Sequence, residues 1–210
     1  MIPKYSQEDL TSARHRIIEV GKYLDSKGWT PATSSNFSLR LDENYCAITV
    51  SGKHKGYLTP DDVMVVDLQG KPIDEQKPSA ETLLHTTLYQ KNGDTGAVLH
   101  THSLNATVFS MIWHQPHWEV TGYELQKAFT GITSHESTIK FPIFDNSQDI
   151  ANLAQEVLLY LDSDIPCWGY LIKGHGIYTW GETVEGALRH LEALEYLLQC
   201  QLLTLQLGKC

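Results

Sequence analysis

Two histidines lie two positions apart at the end of an apolar run, in the segment AVLHTHSLNATVF at residues 97–109. The run predicts a β-strand. Residues i and i+2 of a strand face the same side, so His100 and His102 can present two imidazoles to one metal ion. The same pattern is also typical of polar residues where a strand meets solvent. These two residues alone are therefore compatible with either a metal site or a solvated strand end.

A third histidine, His175, stands between two glycines in the segment KGHGIY. Glycine flanks let the backbone approach a buried centre closely, which a surface histidine seldom requires. Three histidines with an open coordination position are typical of a catalytic zinc site, because structural zinc sites are closed by four protein ligands. His175 is therefore the predicted third ligand, and a turn residue in a hairpin is the alternative.

Small polar residues precede the histidines in three segments, TSSNFS at 33–38, SGKHKG at 51–56 and PSAE at 78–81. Such turns expose backbone N–H groups and hydroxyls, and a helix that starts near Ser79 adds the positive end of its dipole. Together the segments could bind a phosphate, although each one alone is equally typical of an ordinary turn. The chain has neither a P-loop nor a dinucleotide fingerprint, which gives a nucleotide role little support.

Two carboxylates are candidates for proton transfer. Glu81 is predicted in the first turn of the helix before the histidine strand, where the helix dipole stabilises an anion; a purely structural helix-start carboxylate is the alternative. Glu124, in GYELQKAF, is by its pattern alone one of many solvent-exposed acids. The remaining candidates, for which surface or core roles are predicted, are His85, His114, His117, His135 and His190.

The composition is that of a globular protein, with 41% hydrophobic and 20% charged residues in a chain of 210. The formal net charge of −9 argues against nucleic-acid binding, which needs clustered Lys and Arg, but permits a local anion pocket. The sequence has no signal-peptide pattern and no stretch long enough for a membrane span, so a cytoplasmic protein is expected. Its four scattered cysteines are expected to be free thiols.

Helical and strand patterns alternate along the chain, and the absence of repeats or linkers predicts one domain over residues 1–210. The last helix carries leucine on nearly every face, which fits either an intersubunit contact or a central helix of one subunit. A helix is predicted within residues 6–28, with Ser6 as its N-cap and Gly28 just past its end, and another within 77–93, with Ser79 near its N-cap and Gly93 at its end. Further helices are predicted at 104–113, 123–129, 147–161 and 182–208. Strands are predicted at 36–41, 45–52, 62–70, 96–103, 137–144 and, as a pair joined at KGHG, within 168–181.

The order of these motifs resembles the class II aldolase and adducin head-domain family over nearly the whole chain. The motifs are, in order, a Ser/Asn turn, SG after a strand, PSAE, HTHS and a distant GHG. The resemblance implies an α/β fold of three α/β/α layers around a central, mainly antiparallel sheet. It further implies one zinc ion per subunit on His100, His102 and His175, and a homotetramer with sites at subunit interfaces.

Within this family the phrases SGKHKGYLTPDD, AVLHTHS and KGHGIYTWG are most similar to a dehydratase branch. The resemblance implies zinc-dependent dehydration of 5-methylthioribulose 1-phosphate, with Glu124, 24 residues after His100, as the acid/base. Glu81 matches the acid/base position of the aldolases. Asn36, Ser51, Gly52 and Ser79 match phosphate-binding positions, with Lys53 and Lys55 as added cations. A sugar-phosphate aldolase or epimerase and a non-catalytic adducin-like module remain alternatives.

Overall fold

An eight-stranded β-sheet forms the centre of the structure, a computed structural model that describes residues 3–73, 75–163 and 165–208. The strand order is β3-β2-β1-β4-β8-β7-β6-β5. Every neighbouring pair is antiparallel except β6 and β7, which are parallel, so the predicted mainly antiparallel sheet is confirmed. The strands are β1 Asn36–Arg40, β2 Tyr45–Thr49, β3 Val63–Asp67, β4 Ala97–Thr101, β5 His117–Val120, β6 Ile139–Phe144, β7 Gly169–Ile172 and β8 Gly176–Gly181.

Helices cover both faces of this sheet and produce the three predicted layers. Because strand side chains alternate between faces, Leu99 packs into one hydrophobic core and Val98 into the other. The first core contains residues of α1, α3 and α5, and the second contains residues of α2 and α4. The helices are α1 Gln7–Ser26, α2 Thr82–Lys91, α3 Leu104–Ile112, α4 Ile150–Leu161 and α5 Val184–Gln206.

The first helix begins where its sequence predicts. Ser6 is the N-cap and accepts a hydrogen bond from the N–H of Asp9, whose carboxylate accepts one in return from the Ser6 N–H. This capping box satisfies backbone donors that the first helical turn leaves without partners. Gly28 follows the helix with a φ of +73°, a left-handed conformation that glycine adopts without strain. On the sheet side α1 buries Ile17 and Leu24 completely.

The helix predicted to start near Ser79 begins only at Thr82, and Glu81 is its N-cap residue rather than a member of its first turn. The preceding turn is held locally, because the Ser79 hydroxyl accepts the N–H of Glu81 at 3.3 Å and the Ser79 carbonyl accepts the N–H of Thr82 at 3.1 Å. Serine side chains compete in this way with helical hydrogen bonds. The competition sets the start of α2 and brings Glu81 next to the strand ends.

The segment at 123–129 is not an α-helix but contains a 3₁₀ turn, Glu124–Ala128. The buried Gln126 side chain accepts the N–H of Tyr123 at 2.9 Å and donates to the carbonyl of Ser137 at 2.6 Å, so side-chain bonds hold a tight turn instead of a longer helix. Strand β5 was not predicted, because it has only four residues and lies at the sheet edge. Its burial alternates, with Trp118 and Val120 inside.

The strand register brings the candidate residues to one end of the central strands β1, β4 and β8. Asn36 of β1 lies opposite His100 of β4, and Tyr178 of β8 lies opposite the same histidine on the other side. His175 occupies the turn that joins β7 to β8. The N-terminus of α2, with Glu81, contacts the same strand ends through a hydrogen bond from Asn36. Residues far apart in the chain thus meet at these strand ends.

The outer surface of α5 is partly apolar. Leu194 and Leu197 are fully buried within the chain, whereas Tyr196, Leu203 and Leu207 are each more than half exposed. The first half of this helix is therefore central within one chain, whereas its last turns present an apolar surface, and the intersubunit contact stays a prediction. Among the described helices, none combines the length and the apolar composition needed to cross a membrane. Cys46, Cys167 and Cys200 are free thiols, and Cys210 lies outside the described residues.

Candidate metal centre and active site

Four side chains converge at the ends of the central strands: Glu81, His100, His102 and His175, whose possible ligand atoms all lie within 4.8 Å of one another. The Nε2 atoms of His100 and His175 are 3.2 Å apart. The Glu81 carboxylate lies 2.8 Å from Nε2 of His175 and 3.6 Å from Nε2 of His100. The structure therefore brings together the three histidines identified from the sequence, and it adds Glu81 to them.

His100 is oriented by its neighbours. It is completely buried, and its Nδ1–H donates to the carbonyl of Ile177 at 2.8 Å. A ligand histidine usually donates its other ring nitrogen in this way, which leaves the Nε2 lone pair directed at the metal position. The ring also stacks on Tyr178, with centroids 4.1 Å apart and planes 13° apart. His100 is thus held in the tautomer and orientation that a metal ligand needs.

The glycines beside His175 are required by close packing. A Cβ atom at Gly176 would lie 2.0 Å from the carbonyl oxygen of Thr101, which no side chain can tolerate. Gly174 has a φ of +62° and packs against Met111. The β7–β8 turn can therefore approach the end of β4 closely enough for the rings of His175 and His102 to lie 4.5 Å apart.

Burial determines the charge of the cluster. It lowers the pKa of His100 well below the usual value. Burial, with the nearby charge of His175, lowers the pKa of His102 to about 4. Burial alone would raise the pKa of Glu81, but its hydrogen bonds with His175 and Asn36 oppose burial, and that pKa lies well below its usual range. The neutral imidazoles of His100 and His102 beside a carboxylate are donors that fit a divalent cation.

A cavity of about 220 Å³ adjoins the cluster, and His102 and Glu81 form one of its walls. Of the predicted phosphate-binding residues, Asn36, Ser51, Gly52 and Ser79 line this cavity, whereas Lys53 is not among its lining residues. The buried Ser34 hydroxyl belongs to the same wall and has no hydrogen-bond partner among the described residues. An unpartnered buried hydroxyl is unfavourable unless a ligand binds it. The full lining is Thr33, Ser34, Ser35, Asn36, Val50, Ser51, Gly52, Ser79, Ala80, Glu81 and His102.

The two candidate lysines differ in position. The Lys53 ammonium is half exposed and forms an ion pair with Asp62 at 2.8 Å. Lys55 is 1% exposed, and its ammonium donates to the carbonyls of Thr33 at 3.1 Å and Lys53 at 2.6 Å. Burial lowers the pKa of Lys55 to about 8, and the charge of Glu81 partly opposes this effect. Lys55 thus contacts the wall of the cavity, whereas the charge of Lys53 is already paired with an acid.

Glu124 does not join the cluster within one chain. Its side chain is 74% exposed, and its carboxylate pairs with Lys127 and lies 3.8 Å from His135. It lines an open groove between the 3₁₀ turn and α5 that also includes Tyr196. The solvent exposure that the sequence pattern predicts for Glu124 is therefore found in the isolated chain.

The sequence predicts a surface or core role for His85, yet in the structure this residue contacts the site. It is completely buried on α2, and its ring nitrogens bond to Asn36 and Ser38. The sequence contains one indication that His85 lies near the site. His85 follows Glu81 by four residues, which places it about one helical turn further along the same face.

Residues 15–202 match the family model described as Class II Aldolase and Adducin N-terminal domain. This match covers most of the chain, so the protein belongs to that family, as its motifs predicted. A solved structure described as YgbL, a putative aldolase/epimerase/decarboxylase from Klebsiella pneumoniae, has a TM-score of 0.79 at 24% identity, with 93% of this chain and 90% of that chain covered. That likeness confirms the class II aldolase fold.

Curated relatives define the protein more closely. Over 205 residues the chain is 53% identical to methylthioribulose-1-phosphate dehydratase from Pseudomonas aeruginosa, with 97% of this chain and 98% of the relative covered. It is 56% identical over 187 residues to the protein of the same name from Pseudomonas syringae pv. syringae, with 89% and 92% covered. The resemblance to this branch is thereby confirmed, and the protein is an enzyme of the lyase class.

Proposed function

We propose that the protein dehydrates 5-methylthioribulose 1-phosphate to 2,3-diketo-5-methylthiopentyl 1-phosphate and water, as a step of methionine salvage. The observation that carries this proposal is the convergence of His100, His102, His175 and Glu81 beside a cavity lined by small polar residues. The names of the relatives supply the substrate. We further propose one zinc ion per subunit and a cytoplasmic homotetramer; free thiols fit a reducing compartment.

The cavity would bind the phosphate group of the substrate. Hydroxyls of Ser34, Ser51 and Ser79 and the backbone at Gly52, which has a φ of +74°, can donate hydrogen bonds to an anion there. The buried charge of Lys55 adds a favourable electrostatic field. Because His102 and Glu81 line the same cavity, a phosphate anchored in it places the carbonyl end of a ketose phosphate beside the metal centre.

The chemistry that zinc supplies when bound is Lewis-acid polarisation of the substrate carbonyl, which makes the proton on C3 more acidic. Dehydration removes that proton and the hydroxyl on C4, so one group must accept a proton and one must protonate the departing hydroxyl. The enol that remains tautomerises to the diketone. Glu124 is the proposed acid/base, and Glu81, which is held ionised, shares this role or orients the substrate.

Glu124 would act in the site of a neighbouring subunit. In one chain it lies in the exposed groove beside α5, where Tyr196 is also largely exposed. Exposed apolar side chains grouped on one surface are typical of contacts between subunits. We propose that this surface packs against the metal centre of a second chain in the tetramer, so that Glu124 of one subunit completes the site of its neighbour.

Two assays test these proposals. Purified protein should contain about one zinc per chain, and absence of metal would favour an adducin-like module. It should convert methylthioribulose phosphate in preference to fuculose and ribulose phosphates, whereas the reverse preference would favour an aldolase or epimerase.

Glu124→Gln should retain zinc but lower kcat by about 10²- to 10⁴-fold. Near-normal turnover of this variant would refute the role of Glu124.

Mixed oligomers separate action within a chain from action between chains. Glu124→Gln chains retain the histidines, and His100→Asn chains retain Glu124, so co-expression restores about a quarter of the sites in a randomly mixed cyclic oligomer if each site combines two chains. Each variant expressed alone is the control. Activity no higher than in the parents would show that Glu124 does not act between subunits.

A further inference from the structure

A buried chain of hydrogen bonds connects the core behind α2 to the metal centre. The Tyr89 hydroxyl lies 2.8 Å from Oγ of Ser38, which lies 2.7 Å from Nδ1 of His85. Nε2 of His85 contacts Oδ1 of Asn36. Nδ2 of Asn36 then donates to the Glu81 carboxylate at 2.5 Å. Ser38, His85 and Tyr89 are each no more than 1% exposed, so water does not compete for these contacts.

The Asn36 amide fixes the direction of the bonds in this chain. Its NH₂ group faces Glu81 and its oxygen faces His85, and an amide oxygen only accepts hydrogen bonds. His85 must then carry its proton on Nε2, which leaves Nδ1 to accept the hydroxyl proton of Ser38. In the opposite arrangement the Asn36 oxygen would face the Glu81 carboxylate, and the two acceptors would repel each other.

The Asn36 amide serves both parts of the site. One of its N–H groups is directed at Glu81, and Nδ2 also lies 3.4 Å from Oγ of Ser79 in the phosphate cavity. An asparagine amide is nearly symmetric in shape, so packing alone does not select between its two orientations. A neighbour that donates a hydrogen bond to the amide oxygen selects one of the two orientations. Among the described residues, His85 donates to the Asn36 oxygen.

We propose that His85 is a positioning residue that locks the Asn36 amide in the orientation that holds Glu81 and Ser79. The proposal rests on the proposed function, because it assumes that Glu81 and the phosphate cavity serve one reaction. Burial lowers the pKa of His85 to about 3, so the imidazole remains neutral at neutral pH and keeps its donor and acceptor sides distinct. The ring also packs edge-on against Tyr178, which stacks beneath His100.

Two amide substitutions distinguish the two sides of the His85 ring. In His85→Gln the longer side chain can place an NH₂ group near the former Nε2 position and donate to Asn36. In His85→Asn the shorter side chain reaches only the Ser38 side. We expect His85→Asn to lower kcat by about 10- to 100-fold, with a smaller change in KM, and His85→Gln to retain most of the activity.

A matched control separates positioning from general loss of a buried histidine. His190 is 4% exposed and also bonds through both ring nitrogens, to Trp180 and Thr130. His190→Asn should therefore leave kcat unchanged in the folded protein. Equal kcat for His85→Asn and the wild type, or equal losses in His85→Asn and His190→Asn, would overturn the proposal.

The tautomer of His85 is measurable without any turnover, and so independently of the proposed substrate. In wild-type protein labelled with nitrogen-15 histidine, His85 should show a slowly exchanging proton on Nε2, assigned by its absence in His85→Gln. A proton on Nδ1 would overturn the proposal even if the protein is an active dehydratase. The expected tautomer in a protein that fails to dehydrate methylthioribulose phosphate would support the positioning role and refute only the substrate.

Discussion

Glu195 on α5 is a buried acid behind the loop that carries His102. It is 2% exposed, Asn105 donates to its Oε2 at 3.5 Å, and its Oε1 has no hydrogen-bond partner among the described residues. Burial raises its pKa to about 7 from an ordinary value of 4.5, and hydrogen bonds with Ser103 and Asn105 only partly oppose burial. The folded protein therefore disfavours the ionised form that the unfolded chain adopts at neutral pH.

The sign and size of the effect follow from this difference. A pKa raised on folding leaves stability intact below the unfolded value of 4.5 and reduces it as the pH rises to about 7. The folded and unfolded pKa values differ by about 2.5, and each pKa unit corresponds to roughly 1.36 kcal/mol. The free energy of unfolding is therefore lower by about 3 kcal/mol above pH 7, and by less than about 1 kcal/mol at pH 5.

Glu195→Gln keeps the shape of the side chain and removes the ionisable group. We expect the free energy of unfolding to increase by about 3 kcal/mol over the wild type at pH 8 and by less than about 1 kcal/mol at pH 5. Urea denaturation followed by tryptophan fluorescence, at one protein concentration, measures both values. Glu136→Gln, which neutralises an exposed acid, is the control. A Glu195→Gln variant whose stability matches the wild type at both pH values would refute the reasoning.

Three further predictions concern the metal centre and its cavity. His100→Asn should abolish zinc binding, measured by metal analysis against the wild type; full zinc content would exclude His100 as a ligand. Ser79→Asp places a negative charge in the phosphate cavity and should raise KM at least about tenfold through repulsion, whereas an unchanged KM would place the phosphate elsewhere. Gly176→Ala should lower both stability and zinc content because its Cβ would meet the Thr101 carbonyl, while Gly93→Ala, with open space around it, should lower neither. Equal melting temperatures for the two alanine variants would contradict the packing argument.

Local spacing was sufficient to predict part of the site. His100 and His102 are two residues apart, the spacing of side chains on one face of a strand, and both belong to the cluster. The glycines flanking His175 predicted a close approach of the backbone, and the structure shows it at Gly176. Helix α1 and its Ser6 cap followed from periodicity and capping chemistry. These features depend on neighbours within a few residues along the chain, which is the range over which sequence patterns act.

Contacts between distant segments could not be predicted in this way. Nothing near His85 in the sequence indicates that Asn36 and Ser38, 49 and 47 residues away, occupy its two nitrogens. The choice between Lys53 and Lys55 depended on Asp62 and on a turn that contributes the Thr33 carbonyl. Strand β5 is too short for a pattern and forms because β6 provides a partner.

The spacing of residues along the chain thus predicted the three histidines, and the resemblance of the motifs to a known family implied the class of fold, which the family match and the solved structures confirm. The position of Glu81 beside the histidines, the burial that keeps His100 neutral and the direction of the bonds through His85 arise only when β1, β4, β8 and α2 meet. The physical reason is that desolvation and hydrogen-bond direction depend on all the surrounding groups in space, and most of those groups come from distant parts of the chain.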